Sequence, residues 1–414
     1  MTTDQQSAPQ TAPRAGTSTG TWILRAVFIL FAIYILTEIA LNPGKRQWDF
    51  RSYYFAGTIA AQDGNPYDGQ ILNQVSSGTV VLPFVYPPIT LPVFELFARF
   101  DFHVAYEIWY VLKLILTLLL LYLWRKHLFG DISMDVFAWF MLLAFGATLY
   151  IDLVTGNVTM IEQVLIWGGL IALLRERTWL FALLIVVAAL FKVTPLLFLA
   201  VLPLLSTRNG WRYVGVSVAA IIVVVGVGYA LNPDAWNAFF GAVLAADEPG
   251  QLGNPSTLAF ARDMIASIGD KAGVRIPQAL SYVLYLGVVG VVVAYTMRSI
   301  QTLRQSQRSN WNLVAIYMFC LGYALVMPRF KTYSFILVLP PALYLLTRVR
   351  DVKSFGLLFA VYALAAATPF PISPYLQYFW RYYPLFLVFL VWILLLRLVD
   401  RDAKSATSAS APAT

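Results

Sequence analysis

Few residues in this chain carry chemistry, and most of those that do stand at the ends of apolar runs. Asp49 lies in Trp48-Asp49-Phe50-Arg51-Ser52-Tyr53-Tyr54-Phe55-Ala56-Gly57, just after the first long apolar stretch. A carboxylate at a membrane boundary is partly withdrawn from water. That lifts its pKa towards neutrality and suits it to act as a general base. The same position also suits a plain helix N-cap. Phe50, Tyr53, Tyr54 and Gly57 share one helical face beyond it, which either lines a cavity or anchors in the interface.

A second group is basic. Lys192 interrupts a long apolar run at Phe191-Lys192-Val193-Thr194-Pro195. An ammonium in lipid costs roughly 3 kcal/mol or more, so it must meet an anion, reach a water-filled cavity or snorkel out. Arg329 and Lys331 follow Pro328 in a short hairpin. With Lys192 they could form a three-cation clamp for a phosphate; a solvated basic hairpin also accounts for the pair. Asp152 ends the third apolar run, Asn157 follows Gly156, and Glu162 and Gln163 lie inside the fourth. A substrate cavity and polar helix packing both explain such residues. Asn254-Pro255-Ser256-Thr257 lies in a long polar loop and is a candidate acceptor-side stretch, whereas Asp63-Gly64-Asn65-Pro66-Tyr67-Asp68 reads as a solvated turn.

The elements that must hold these groups are apolar helices. Of 414 residues, 59% are hydrophobic and 12% charged, and the mean hydropathy is +0.70. Backbone in lipid is satisfied only in helices or closed barrels, and these runs do not alternate. The expected fold class is all-α: a polytopic membrane protein with about twelve transmembrane helices. The domain reading is a disordered cytoplasmic tail over 1–20, one transmembrane domain over 21–400 and a second tail over 401–414. The first crossing is expected to stay as a signal anchor. Lys113 falls within the second crossing, and residues 179–205 form either one long helix or two short arms meeting at Lys192. Most of the 29 Lys and Arg face the cytoplasm when both termini do, which puts the long loops 42–103 and 232–278 outside. The hairpin at Arg329 and Lys331 breaks that rule, and a bound anion would explain it.

Several classes of chemistry are excluded. Cys320 is the one cysteine and His103 and His127 are far apart, which argues against a disulfide, a Cys or His metal site and a Ser/His/Asp triad. No Gly-rich phosphate loop follows a strand. The +8 charge is topological, so nucleic acid is not an expected partner. No cofactor is expected, and the sequence leaves a divalent metal open.

Six pieces in order carry a resemblance over roughly residues 22–398: Asp49-Phe50-x-x-Tyr53-Tyr54, Gly64-Asn65-Pro66-Tyr67, Pro83-Phe84-Val85-Tyr86-Pro87-Pro88, Gly156-Asn157, Lys192-Val193-Thr194-Pro195 and Pro328-Arg329-x-Lys331-x-Tyr333. The chain resembles the C-type superfamily of polytopic glycosyltransferases, and within it glycosyltransferase family 87. It is similar to polyprenol-phosphate-mannose-dependent mannosyltransferases and, more loosely, to arabinofuranosyltransferases of that family. The resemblance implies outer juxtamembrane helices, a polyprenyl-phosphate-linked sugar donor, and a glycolipid or glycan acceptor. It implies transfer on the extracytoplasmic face of the plasma membrane. Asp49 would be the base, and Lys192, Arg329 and Lys331 would hold the donor phosphate. Tyr53, Tyr54, Tyr86, Asp152, Asn157, Glu162, Asn254 and Tyr333 would line the substrate cavity. Some relatives carry a histidine near the last piece, and this chain has none there. A transporter or flippase of lipid-linked sugars is the competing class, since intramembrane charges and paired short helices suit transporters too.

Overall fold

A computed structural model describes residues 19–42, 45–77, 81–245, 253–305, 310–349, 351–364 and 380–409. Every element among them is helical. We number the α-helices in chain order: α1 Thr19–Ala40, α2 Trp48–Ala60, α3 Gly69–Val75, α4 Leu91–Phe97, α5 Phe102–His127, α6 Met134–Thr155, α7 Thr159–Leu174, α8 Thr178–Phe191, α9 Val201–Leu204, α10 Gly210–Leu231, α11 Pro233–Ala245, α12 Thr257–Ala272, α13 Ala279–Gln305, α14 Trp311–Val326, α15 Leu339–Thr347, α16 Val352–Leu364 and α17 Tyr383–Ala409. Short 3-10 turns at Pro88–Thr90, Thr194–Ala200 and Thr332–Val338 lead into α4, α9 and α15.

Six of these helices (α1, α5, α6, α10, α13 and α17) are long and apolar enough to cross a membrane. The other apolar helices are shorter, and proline sets the end of two of them, α8 and α14. Pro195 has no N–H, and its ring clashes with the carbonyl four residues back, so α8 stops at Phe191 and Lys192 takes an extended backbone. The 179–205 run is therefore two short arms meeting at Lys192. Pro328 pushes Met327 into the extended region and ends α14 in the same way. The last helix runs on through Arg401-Asp402-Ala403 to Ala409, past the boundary that composition set at residue 400. The expected tail over 1–20 lies outside the described residues except for its last two positions.

Three apolar cores do the holding among the described residues, the smallest of them Ile39, Tyr110, Leu153 and Val154 between α1, α5 and α6. One is broad and joins α6, α7, α14, α15 and α17 around Trp167, Tyr317, Leu321 and Val388. Another is a small aromatic core in which α2, α4 and α5 meet through Phe50, Tyr53, Phe84, Phe94, Phe97 and Trp109. Phe50 stacks on Trp109 at 5.1 Å, and Tyr53 tilts against Phe94 at 4.8 Å. Such pairs add about 0.5–1.5 kcal/mol each beyond their buried area. At Gly57 an added Cβ would stand 2.5 Å from the Phe94 carbonyl carbon, so α2 reaches α4 only because the side chain is missing. By contrast α1 and α10 expose apolar side chains almost all round, as a lipid-facing helix does.

Candidate active site

Four interruptions of the helices converge at one end of the bundle: the start of α2, the α6–α7 turn, the break after α8 and the hairpin after α14. Asn157, in the α6–α7 turn, joins them. Its Oδ1 accepts from the Thr159 N–H at 3.0 Å and the Thr159 hydroxyl at 2.7 Å. A backbone N–H can only donate, so this contact fixes which way the amide faces. Nδ2 is left to donate to Asp49 Oδ2 at 2.6 Å. The hydroxyls of Tyr53, Tyr86 and Tyr333 lie 3.0–3.1 Å from the same nitrogen, and Tyr53 and Tyr86 share a hydrogen bond of 2.7 Å.

The backbone explains the approach of Asp49. Gly156 ends α6 at φ +68°, and a Cβ there would stand 2.8 Å from the Gln47 Cβ. Gln47 itself is left-handed at φ 51° and donates its N–H to the Val154 carbonyl at 2.6 Å. This contact pins the start of α2 to the end of α6. Gln47 takes the N-cap position, so Asp49 sits inside the first turn and is not the cap. It is 7% exposed. Burial pushes its carboxyl up to about 6, while the Asn157 bond and the ammonium groups of Lys331, Lys192 and Lys113 pull it back. The phenols of Tyr53 and Tyr86 are raised by burial and stay protonated, as donors or acceptors, at neutral pH.

Lys192 joins the cluster from the other side. Its Nζ pairs with Glu162 Oε2 at 3.1 Å, donates to the Thr159 hydroxyl at 3.0 Å and stands 5.6 Å over the Tyr333 ring. It keeps a quarter of its side-chain surface open, whereas Glu162 is nearly closed. Asp152 does not touch Asp49. It is fully buried and paired with Lys113 of α5, whose ammonium also donates to the Asn157 carbonyl. One turn earlier on α5, Trp109 Nε1 donates to the Gly156 carbonyl at 2.9 Å.

The basic hairpin is built from the 253–257 segment. Asn254 Oδ1 accepts from the Phe330 N–H at 2.8 Å, Ser256 Oγ donates to the Pro328 carbonyl at 2.7 Å, and Thr257 Oγ1 donates to the Leu325 carbonyl at 2.7 Å. Asn254 thus shapes the hairpin rather than joining the polar cluster. Lys331 acts on Asp49 through its charge, and Arg329 lies exposed beside it. Tyr54 turns away: its hydroxyl donates to the Phe100 carbonyl at 2.9 Å and its ring packs on Phe102 at 5.3 Å.

The structure therefore brings Asp49, Tyr53, Tyr86, Asn157, Tyr333 and Lys192 together, with Glu162 behind Lys192. Asp152 forms a second layer, and Tyr54 and Asn254 stand apart. Lys113, Trp109 and Gln47 were given no role from sequence. A charge in mid-crossing was the signal available for Lys113; nothing local marks the other two.

Beside the cluster, α1, α5 and α6 enclose an apolar groove of about 500 Å³. It runs from Leu153 and Leu149, next to Asp152, to Met134 and Arg125 at the opposite ends of α6 and α5. A carboxylate held near neutrality, phenols, and ammonium groups within a few ångströms suit proton abstraction next to a departing anion.

A family model described as Glycosyltransferase family 87 matches residues 84–328, more than half of the chain. The matched stretch contains Tyr86, Lys113, Asp152, Asn157, Glu162, Lys192 and Asn254, while Asp49, Arg329, Lys331 and Tyr333 lie outside it. No curated protein and no solved structure matches the chain.

Proposed function

The chain belongs to glycosyltransferase family 87 and is a membrane glycosyltransferase, and from that premise we propose that it moves a sugar, most simply mannose, from a polyprenyl-phosphate donor to a glycolipid or glycan acceptor. The observation that carries this reading is the contact of Asp49 with Asn157, with Lys192 held by the same side chain. It sets a base and a cation on opposite sides of one amide.

The reaction is a single displacement with inversion. Asp49 takes the proton of the acceptor hydroxyl as that oxygen bonds to the anomeric carbon. The bond from that carbon to the phosphate oxygen breaks, and the lipid phosphate leaves with the electron pair. Lys192, Arg329 and Lys331 stabilise the leaving phosphate, which is already a good leaving group. Burial keeps Asp49 near pH 6, so it is largely ionised at neutral pH and still basic enough to accept a proton. The groove between α1, α5 and α6 offers apolar surface for an isoprenoid chain. In the same reading the shorter apolar helices also cross, giving the C-type plan with about twelve crossings, and the cluster faces the extracytoplasmic side.

The test uses purified protein in nanodiscs with synthetic short-chain polyprenyl-phosphate mannose and, separately, polyprenyl-phosphate arabinofuranose. Release of free polyprenyl phosphate and formation of glycosylated product are followed for wild type and Asp49→Asn, with and without a chelator. Transfer that disappears in Asp49→Asn while donor binding persists is the expected result. Wild-type turnover by Asp49→Asn would remove the base. Sugar-lipid movement across liposomes without transfer would replace the enzyme by a transporter.

A further inference from the structure

Lys113 is fully buried in α5, at a depth where an ammonium is expensive. An ion pair buried this deeply is a poor stabilising device, because two apolar side chains of similar volume often do as well or better. This pair is also incompletely satisfied: Asp152 Oδ1 is buried with no hydrogen-bond partner. The geometry gives Lys113 a second task. Its ammonium spans the Asp152 carboxylate and the Asn157 carbonyl, and Trp109 on the same face of α5 holds the Gly156 carbonyl at 2.9 Å. Two successive carbonyls of the α6–α7 turn are thus gripped from one helix. That helix is tied to the end of α1 through Tyr110, which donates to the Leu36 carbonyl at 2.9 Å.

We propose that Lys113 is a positioning residue for the base: by holding the Asn157 carbonyl and the Asp152 carboxylate together, it fixes the turn that aims the Asn157 amide at Asp49. The proposal rests on the reading of Asp49 as the base. Asn157 is set from both ends, its side-chain oxygen by Thr159 and its backbone oxygen by Lys113. With one end released, the amide is no longer obliged to meet the carboxylate. The charged groups around Asp49 are Lys113 from α5, Asp152 from α6, Glu162 from α7, Lys192 from the break after α8 and Lys331 from the hairpin, with the phenols of Tyr53, Tyr86 and Tyr333 between them. Lys113 acts on Asp49 mainly through Asn157, since its charge is matched by Asp152.

The experiment replaces the pair as a unit, Lys113→Met with Asp152→Leu, so that no buried charge is stranded. It does so in wild-type and Asn157→Ala backgrounds of the full chain, with Asp49→Asn in parallel. Turnover of polyprenyl-phosphate mannose is measured against pH in nanodiscs. Hydrogen exchange of the peptide covering residues 155–162 supplies a readout that needs no donor.

With Asn157 present, the pair variant is expected to lose about tenfold or more in turnover, with donor KM changed less than about twofold. Its acid limb should move upward, and exchange at 155–162 should speed up. In the Asn157→Ala background the same replacement should cost under about twofold, because the two act as one unit. Equal losses in both backgrounds, or wild-type turnover and exchange in the pair variant, would reduce Lys113 to helix packing. If the pair variant does not fold, Lys113→Arg decides. It keeps the charge but is too broad to stand where the ammonium stands between the two oxygens, so lowered turnover with the acid limb moved upward supports the proposal, and a wild-type pH profile, whatever the turnover, overturns it. Transfer by Asp49→Asn would instead remove the base reading, and the proposal with it, whereas an inactive Asp49→Asn beside a normal pair variant removes the proposal alone.

Discussion

Replacing Asp49 by Asn should make the protein more stable while it abolishes transfer. Burial lifts this carboxyl from 3.8 to about 6. At 1.36 kcal/mol per pH unit, that gap corresponds to at most ~3 kcal/mol at neutral pH. The sign is the reverse of a salt-bridged aspartate. The native state holds the proton more tightly than the unfolded chain, so stability falls as pH rises from the unfolded value to about 6, and the deficit is complete above it. Asn has the shape of the protonated acid, still accepts from Asn157 and does not titrate. Asp49→Asn should therefore exceed wild type by up to ~3 kcal/mol near neutrality, with the gap closing as pH falls through the 6-to-4 range. The assay is thermal unfolding in detergent, followed by tryptophan fluorescence across that range for both proteins. A variant less stable than wild type, or a gap that does not change with pH, would refute the placement of an ionised carboxylate in this buried position.

Three further expectations follow from the same geometry. Asn157→Ala removes a charge-assisted bond worth about 1.5–3 kcal/mol, so the acid limb of transfer should rise by about one pH unit or more, with a larger loss at low pH than at high pH; a pH profile of kcat/KM checks it. Lys192→Met should lower transfer and raise donor KM, with Lys192→Arg recovering part of the loss, measured by initial rates over a donor series. Gly57→Val should destabilise by about 1–3 kcal/mol, because the added carbons meet the α4 backbone at Phe94; thermal midpoint and yield of folded protein report it.

Local features of the sequence already marked several of the residues that meet in the polar cluster. An acid after the first apolar run, a lysine in a prolonged apolar stretch and a basic hairpin behind a proline are visible one at a time, because each is a charge beside or inside an apolar run. At Lys192 the sequence allows one long helix or two arms, and the structure has two, since Pro195 cannot continue the helix that precedes it. Family membership followed from the order of short motifs along the chain. Tyr54 and Tyr53 looked alike on one helical face, yet only contact with α4 and α5 turned Tyr53 inward and sent Tyr54 to the Phe100 carbonyl.

The sequence by itself determined that this is an all-helical membrane chain, because hydropathy and proline act within a few residues of where they stand. Tertiary structure alone decided which polar groups meet. Asn157 lies 108 residues from Asp49 and 176 from Tyr333, and Lys113 lies 44 from the carbonyl it holds. Such pairings depend on how far α5 and α6 run before they turn and on whether a left-handed Gln47 can pass a bare Gly156. No local pattern encodes those distances, because they are set by the packing of every helix between.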